Sequence, residues 1–170
     1  MKVVAPGHDS VAFLLTQLGT HAARRFAEQL TPLKLAPHHV GILGILNRAE
    51  SQSQRQLAAT LRMHASRLVA LIDELEALEL VARQANGNDR RTYSLRITDK
   101  GRETLAAVGK IGREHNDVIC GALNAEEREQ LAQLLQRIAN EQGLARGIHP
   151  GYSQLGKPGR ANAPAVRKEE

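Results

Sequence analysis

The sequence predicts a mainly α-helical fold with one small β-hairpin. Hydrophobic residues make up 42% of the 170-residue chain, but aromatic residues make up only 2% and tryptophan is absent. The core must therefore consist of Leu, Ile, Val and Ala, and an aliphatic core of this kind suits helices packed on helices. Most of the chain repeats its hydrophobic residues every three or four positions, whereas one stretch after Glu79 alternates at every second position.

Six segments have the helical period. The first carries Leu18 and Phe26 on one stripe, and Pro37 is well placed to open the second. Ser53 and Gln56 form a capping box at the start of the third, in which each side chain can satisfy a free backbone amide of the other. We predict helices over residues 9–30, from residue 37 onward, and over residues 54–60, 65–78, 99–120 and 125–142.

The alternating stretch predicts a hairpin. Residues 80–84 resemble a short strand, Asn86-Gly87-Asn88-Asp89 has strong turn chemistry, and residues 93–97 have the strand period. Residues 83–96 hold four arginines against one aspartate, a local charge of +3. Two interpretations are open: the hairpin is an ordinary solvated one with surface charge, or it contacts a polyanion. Because the hairpin follows two closely spaced helices, we favour contact with a polyanion.

The order of helix, short helix, turn, longer helix and hairpin is that of a winged helix-turn-helix. In this architecture the longer helix enters the major groove of DNA with its first residues at base edges, and the shorter helix lies against the backbone. Arginine can donate two hydrogen bonds to guanine, and serine or histidine can bond bases or phosphates. The candidate DNA contacts are Gln54 and Arg55 in the short helix, Arg62, His64, Ser66 and Arg67 around the start of the longer helix, and Arg83, Arg90 and Arg91 in the hairpin.

The overall charge agrees with this interpretation. The chain has 23 Lys and Arg against 18 Asp and Glu, a net charge of +5 with a pI near 9.8. Such an excess favours a polyanionic partner, although many solvated proteins carry as much. We find no signal peptide and no apolar run long enough for a membrane span, so we expect a soluble, cytoplasmic protein without membrane contact.

Nothing in the sequence indicates catalysis, a cofactor or a metal. It has no Gly-rich phosphate loop and no nucleophile elbow, and His115 and Cys120 stand five residues apart, a spacing that splits them across a helix. The single cysteine excludes an internal disulfide and fits a reducing compartment. We interpret Cys120 as a buried, inert side chain.

The motifs resemble those of the multiple antibiotic resistance regulator (MarR) family. The resemblance rests on Leu57-Ala58-Ala59-Thr60-Leu61, on residues 68–81 and above all on the hairpin. The wing of that family carries Asp-x-Arg followed by a strand ending in Leu-x-x-Thr-x-x-Gly, and the matching residues here are Asp89, Arg91, Leu95, Thr98 and Gly101. The resemblance implies that Arg91 enters the minor groove and that Asp89, also a candidate DNA-site residue, holds its side chain through an ion pair.

Three positions depart from the family pattern. Arg62 and Glu79 stand at turns where relatives often carry glycine, so both turns need another solution to their backbone angles. Ala70 stands where a basic residue is common, so the longer helix offers fewer cations. The operator sequence therefore cannot be inferred from the resemblance.

The amphipathic helices at both ends predict a homodimer. A winged lobe does not need them, and a two-fold interface is the commonest way to bury their apolar stripes. The longer helix of the helix-turn-helix in one chain would then lie about 34 Å from its copy in the other chain. This spacing predicts a pseudo-palindromic operator on duplex DNA. We divide the chain into a flexible N-terminus (1–8), a dimerisation helix (9–36), the winged lobe (37–98), further dimerisation helices (99–143) and a flexible basic tail (144–170).

The resemblance also implies a small effector, often phenolic or an aromatic carboxylate, between the dimerisation helices and the lobe. His21, Arg25, His38 and His39 lie on the helices expected to line such a pocket, and either residue type can pair with a carboxylate. The alternative is that all four are surface or helix-end residues. The expected function is thus a sequence-specific transcriptional regulator, a repressor released by its ligand; the alternative is a winged helix for protein contact or a nonspecific, nucleoid-type DNA binder.

Overall fold

The computed structural model describes residues 10–49, 51–86 and 89–154, with side chains except at 85, 86, 89–92, 153 and 154. Its helices are mostly those that the periodicity predicts. A 3₁₀ helix, Thr31–Leu33, follows α1, and a second one, Pro150–Gln154, ends the described chain. The other elements are α1 (Val11–Leu30), α2 (Pro37–Arg48), β1 (Gln52–Ser53), α3 (Gln54–Leu61), α4 (Ala65–Ala77), β2 (Val81–Asn86), β3 (Asp89–Ile97), α5 (Asp99–Ile119) and α6 (Ala125–Glu141).

Side-chain caps fix the starts of four helices, α1, α3, α5 and α6. At α3 the Ser53 hydroxyl accepts from the Gln56 N–H at 3.2 Å, and the Gln56 side chain accepts from the Ser53 N–H at 2.9 Å. This confirms the predicted capping box. Asn124 forms the same reciprocal pair with Glu127 at α6, and the Thr98 hydroxyl caps α5. Each cap satisfies amides that have no partner in the first turn of a helix.

The three strands form one antiparallel sheet in the order β1-β3-β2. Val81 pairs with Ile97 across β2 and β3, and Gln52 pairs with Leu95 across β1 and β3. The sequence analysis missed β1, because two residues are too few for an alternating pattern. The sheet therefore combines the predicted hairpin with one short strand that leads directly into α3.

The core lies in the lobe formed by α2, α3, α4 and the sheet. Its side chains are aliphatic, as the composition predicts, and most come from the inner faces of the three helices. At the end of the hairpin, Gly101 allows α5 to approach the sheet, because a Cβ there would lie 2.2 Å from the carbonyl oxygen of Leu80. The fully buried side chains of the lobe are Ile42, Leu43, Leu46, Leu57, Leu61, Leu68, Leu71, Ile72, Leu75, Val81 and Leu95.

The terminal helices differ from the lobe because their apolar faces stay open. α1 packs against α5 and α2, yet Leu18 is 55% exposed, and Leu134 of α6 is 45% exposed. No residue of α6 is buried. A cleft of about 810 Å³ separates the two apolar faces, and its aliphatic lining comes from Val11, Leu14, Leu15, Leu18, Leu131, Leu134, Leu135 and Ile138.

The segment after α6 corrects one prediction. The sequence predicts a flexible tail from residue 144, because glycine and proline are frequent there. In the structure Ile148 packs against the core and Tyr152 is only 6% exposed. The glycines provide the left-handed backbone of the segment at Gly143 (φ 66°) and Gly147 (φ 73°). Frequent glycine here marks a bent path over the surface, at least as far as residue 152.

Within the described residues, no helix is both long enough and apolar enough to cross a membrane.

Candidate nucleic-acid interface

The turn between α3 and α4 has the geometry of a helix-turn-helix. Arg62 ends α3 in the left-handed region (φ 51°, ψ 39°), and its N–H donates to the carbonyls at the end of that helix. Met63 is buried below the turn, whereas the side chain of Arg62 is exposed. Glu79 has a φ of 61° in the turn after α4. Both non-glycine residues therefore adopt the conformation for which relatives often use glycine, at an energetic cost.

The first turn of α4 presents polar groups to solvent. His64 stands at the N-cap position of this helix without a side-chain capping bond, and its Nδ1 lies 3.0 Å from the hydroxyl of Ser66; both side chains are exposed. Arg67 is half-buried, with an Nε that has no hydrogen-bond partner among the described atoms. Leu68 and Leu71 hold the opposite face of the helix in the core. The polar turn is thus held in a fixed orientation, with hydrogen-bonding groups directed away from the protein.

At the start of α3 the two predicted phosphate contacts differ in exposure. Arg55 is exposed, whereas Gln54 is half-buried. Both lie in the first turn, where free backbone amides and the helix dipole favour an anion. The start of α3 and the start of α4 therefore each offer polar or cationic side chains.

Arg83 is a correction, because its guanidinium is already paired within the protein. Its two terminal nitrogens donate to Glu76 and to Asp73 of α4, and its side chain is only 20% exposed. Partial burial opposes the charge, but the two carboxylates outweigh this effect and raise the pKa of Arg83 above its ordinary value. Arg83 ties the hairpin to α4 through both terminal nitrogens of its guanidinium.

The wing residues fall largely outside the described part of the chain. The backbone of β3 begins at Asp89 and pairs with Asn86 across an irregular register. The side chains of Asp89, Arg90 and Arg91 lie outside the described residues, and so does the implied ion pair between Asp89 and Arg91. Their roles in DNA binding stay predictions.

His39 is held between α2 and α4. Its Nδ1 accepts from the N–H of Ala36 at 3.1 Å, so the neutral ring carries its proton on Nε2, which lies 2.9 Å from Glu74. Burial lowers the pKa of His39, although the hydrogen bond and charge of Glu74 act in the opposite direction and Arg67 adds to the lowering. With both nitrogens used inside the protein, His39 supports the start of α2 and is not available to a ligand.

His38, His39 and Glu74 are also the one group of described residues with a spacing that could hold a metal ion, their ligand atoms lying within 4.8 Å of one another. A bound metal would need the lone pair of a His39 nitrogen. Because Nδ1 uses its lone pair on the Ala36 amide, the nitrogen facing Glu74 bears hydrogen and donates. The observed hydrogen bonding therefore opposes a metal at this position.

One of the four predicted ligand residues, His38, lies at a cavity in the described part of the chain. His38 lines an open cleft of about 500 Å³ together with Phe26 and Tyr152, and neither His21 nor Arg25 lines it. His21 is exposed, and Arg25 has a buried Nε without a hydrogen-bond partner among the described atoms. Sequence reasoning missed the contribution of Tyr152, because its segment has the composition of a tail.

Cys120 ends α5 and is half-buried, not fully buried as expected. Its Sγ lies 3.9 Å from the side-chain oxygen of Asn116.

Comparison with known proteins agrees with this geometry. Residues 32–92 match the model of the MarR family. A curated relative from Thauera aromatica, named as a transcriptional regulatory protein for the hcr operon, is 29% identical over 139 residues, which are 77% of this chain and 82% of that protein. The match to the family model covers α2, α3, α4 and most of the hairpin, which is the lobe described above.

Solved structures have the same fold. The transcriptional repressor CouR bound to a 23-mer DNA duplex is 28% identical, with a TM-score of 0.69 over 81% of this chain and 99% of that one. MarR of E. coli in its apo form is 20% identical, with a TM-score of 0.67 over 81% of this chain and 98% of that one. The likeness to MarR of E. coli shows the fold alone. CouR is more similar in sequence, and its structure is of a complex with DNA.

Proposed function

We propose that the chain is a transcriptional regulator of the MarR family and acts as a dimeric repressor. It binds a pseudo-palindromic site in duplex DNA and leaves that site when a small ligand binds. The family and the structural neighbours are regulators, not enzymes. The likeness to transcriptional regulators supports the prediction that the chain has no catalytic activity.

The observation that carries the proposal is the polar first turn of α4. His64 and Ser66 are exposed there, while the opposite face of the helix is fixed in the core. A helix held in this way can enter the major groove without further ordering of its backbone, and its polar groups can then discriminate between base edges. Arg55 at the start of α3 is available for the phosphate backbone.

The dimer is supported by the open apolar faces of α1 and α6. A contiguous exposed apolar surface often marks a site of association with another protein. A second copy of the chain would bury Leu18 and Leu134 and their neighbours in an interface with two-fold symmetry. The α4 helices of the two chains would then face successive major grooves on one side of the duplex.

The repressor role is supported by CouR, which is named a transcriptional repressor and whose structure is of its DNA complex. Release by a ligand requires that the ligand bind the DNA-free arrangement more tightly than the DNA-bound one. A small phenol or aromatic carboxylate is the ligand class that we propose.

Binding to the DNA upstream of the protein's own gene, compared with random duplex of equal length, tests the proposal. A specific regulator gives a discrete mobility shift that survives excess random competitor, whereas a nonspecific, nucleoid-type binder gives equal affinities that depend only on salt. Because a regulator's operator can lie elsewhere, the same comparison is made with duplexes selected by the protein from a random pool. Equal affinity for selected and random duplexes would contradict the proposal.

Arg91→Ala sharpens the same test. We expect it to weaken the specific complex about tenfold or more, because the wing arginine is the predicted minor-groove contact. Arg24→Ala is the matched control, since Arg24 is an exposed arginine of α1 that pairs with Glu28. An equal effect of both substitutions would contradict the wing assignment.

A further inference from the structure

Residues 143–152 form a C-terminal strap that passes from the end of α6 to the first half of α2. At its start the N–H of Leu144 donates to the carbonyl of Ala139 in α6 at 2.9 Å. Near its other end the N–H of Tyr152 donates to the carbonyl of His149 at 3.2 Å. Because hydrogen bonds hold both ends, the strap is a folded connection between α6 and the elements that it contacts.

The first contact of the strap with the winged lobe is the side chain of Tyr152 on α2. This side chain is only 6% exposed, and its hydroxyl donates to the carbonyl of His38 at 3.4 Å. A Cβ on Gly41 would lie 1.6 Å from the hydroxyl oxygen and 2.7 Å from the adjoining ring carbon, so only glycine leaves room for the tyrosine. The Nε2 of His39, which follows His38, lies 2.9 Å from Glu74 of α4. The strap therefore contacts α2 beside the residue that links α2 to α4.

The second contact lies at the turn of the helix-turn-helix. Leu144 and Ile148 line a cleft of about 90 Å³ together with Leu61 and Arg62 of α3. Ile148 also packs against the core of the lobe. Arg62 ends α3 in left-handed backbone, and the turn to α4 follows it. The strap thus lies against α2 and against the turn that positions α4.

The helix before the strap, α6, has little other contact with the lobe. Among the described residues, α6 packs extensively against no other helix or strand, and an open apolar cleft separates it from α1. A further route from the terminal helices to the lobe is α5, which continues from the hairpin and packs against α1 and α2. Units of one chain that share a small interface are free to move relative to one another, and an additional attachment restricts that movement. The strap supplies such an attachment.

The orientation of the lobe matters because the proposed dimer contacts DNA with two copies of it. The terminal helices hold the two chains together, so the distance between the two α4 helices depends on how each lobe is set against its own terminal helices. We propose that the C-terminal strap fixes this orientation and thereby determines which spacing of the two operator half-sites the dimer accepts. Tyr152 and Ile148 are then positioning residues, which act through α2 and the α3–α4 turn without touching DNA. This role rests on the proposed function, the binding of a pseudo-palindromic site by a dimer.

The first experiment measures how strictly the unmodified chain requires one spacing. The selected duplex of highest affinity is compared with duplexes in which one or two base pairs are inserted between its half-sites. Each inserted pair moves the half-sites roughly 3.4 Å apart and rotates one of them by roughly 35° about the duplex axis. We expect the affinity of the unmodified chain to fall at least about tenfold with two inserted pairs. A smaller fall would overturn the proposal, because the orientation of the lobes would then not be fixed.

The second experiment compares Gly41→Ala with Gly44→Ala. Both substitutions add a methyl group to α2 and raise its helix propensity, but a Cβ on Gly44 meets nothing within 4 Å, whereas one on Gly41 displaces Tyr152. We expect Gly41→Ala to bind the original duplex more weakly than the unmodified chain and to lose at most about threefold of its affinity with two inserted pairs. Gly44→Ala should show the same fall as the unmodified chain. Equal dependence of the two variants on spacing would overturn the role of the strap.

Tyr152→Ala and Tyr152→Phe give the same readout without adding atoms to α2. The alanine variant vacates the slot and should accept the longer spacings, as Gly41→Ala does. The phenylalanine variant keeps the ring in the slot and should require the original spacing, as the unmodified chain does. Circular dichroism melts establish that each variant is folded. A strict spacing requirement in the alanine variant would contradict the role of Tyr152.

A mismatched base pair within one half-site separates this role from a general weakening of the lobe. The mismatch tests the base contacts of α4, so we expect it to weaken binding by the same factor in the unmodified chain and in Gly41→Ala. A smaller mismatch effect in Gly41→Ala would show that the strap maintains the lobe itself and would overturn the proposal. Specific binding without a spacing requirement contradicts the role of the strap alone, whereas equal affinity of the unmodified chain for selected and random duplexes contradicts the proposed function.

Discussion

The winged lobe and the terminal helices carry the same kind of hydrophobic pattern and reach opposite degrees of burial. Leu71 and Leu75 of α4 are fully buried within one chain, whereas Leu18 of α1 and Leu134 of α6 remain about half exposed. All four belong to stripes with a helical period. Periodicity therefore specifies which face of a helix is apolar, and the surrounding fold determines whether that face is covered.

The difference indicates two separate sources of stability. The lobe has enough partners in its own chain to exclude water from an aliphatic core, so its stability is intramolecular. Within residues 10–154, as far as the structure describes them, the α1 and α6 faces lack such partners, and association with a second chain would remove them from water. Their contribution to stability is therefore expected to depend on protein concentration.

Leu71→Ala and Leu134→Ala test this comparison with the largest expected effect. Leu71→Ala removes a fully buried side chain and is expected to lower the free energy of unfolding by about 2–5 kcal/mol at every protein concentration. Leu134→Ala is expected to have a smaller effect that is present at high protein concentration and disappears as the protein is diluted below the dissociation constant of the dimer. Urea denaturation at two concentrations a hundredfold apart measures both. A concentration-independent loss for Leu134→Ala would contradict the division into two regions.

His39→Ala tests the link between α2 and α4 inside the lobe. The substitution leaves the Ala36 amide and Glu74 without their partner, and we expect a loss of about 1–3 kcal/mol at pH 7.5. The control is His21→Ala, because His21 is an exposed histidine of α1. Equal denaturation midpoints for the two variants would contradict the supporting role of His39.

The same residue predicts a pH dependence. The pKa of His39 is lowered in the fold, so above the ordinary value of 6.5 both the folded and unfolded states hold a neutral ring. As the pH falls below about 6.5 the unfolded chain takes up a proton first, and stability decreases until the folded pKa is reached. His38 acts in the same direction, since burial lowers its pKa as well. His39→Ala should therefore reduce, but not abolish, the loss of stability between pH 7 and pH 5, and an unreduced loss would contradict this account.

Arg83→Ala distinguishes a residue that orients the wing from one that contacts DNA. Loss of its pairs with Asp73 and Glu76 is expected to cost about 1 kcal/mol or less, since both carboxylates are well exposed to solvent. DNA affinity should fall as the hairpin loses its attachment to α4, whereas Arg91→Ala should reduce affinity without any loss of stability. Thermal melts beside DNA titrations measure both quantities. If Arg83→Ala changes affinity and leaves the melting temperature unaltered, its interpretation as an orienting residue is wrong.

Arg62→Gly has the smallest expected effect and separates stability from binding. Relief of the left-handed backbone (φ 51°) offsets the larger entropy of glycine in the unfolded chain, so we expect a gain of about 0.5–1 kcal/mol. Specific DNA affinity should decrease at the same time, because the guanidinium is lost. A parallel change of stability and affinity would contradict the proposed DNA contact at Arg62.

The sequence predicted most of the helices because their periodicity and caps are local properties, and the capping box at Ser53 is an example. It could not predict β1, which exists only through pairing with β3. The sequence analysis assigned Arg83 to DNA and His39 to a ligand. In the structure Arg83 pairs with Asp73 and Glu76, and His39 pairs with Glu74. Tertiary packing brings these carboxylates close, so the sequence alone could not reveal the pairs. Tyr152 was missed for a related reason, since its slot depends on Gly41, more than a hundred residues earlier.

Selection of duplexes from a random pool, followed by measurement of the protein-to-DNA ratio in the complex, tests the central claim most directly. A dimer with two recognition helices is expected to enrich an inverted repeat, with half-site centres about 10 base pairs apart and two chains bound per duplex. A pool without an enriched sequence, or a single half-site that binds one chain, would contradict the account.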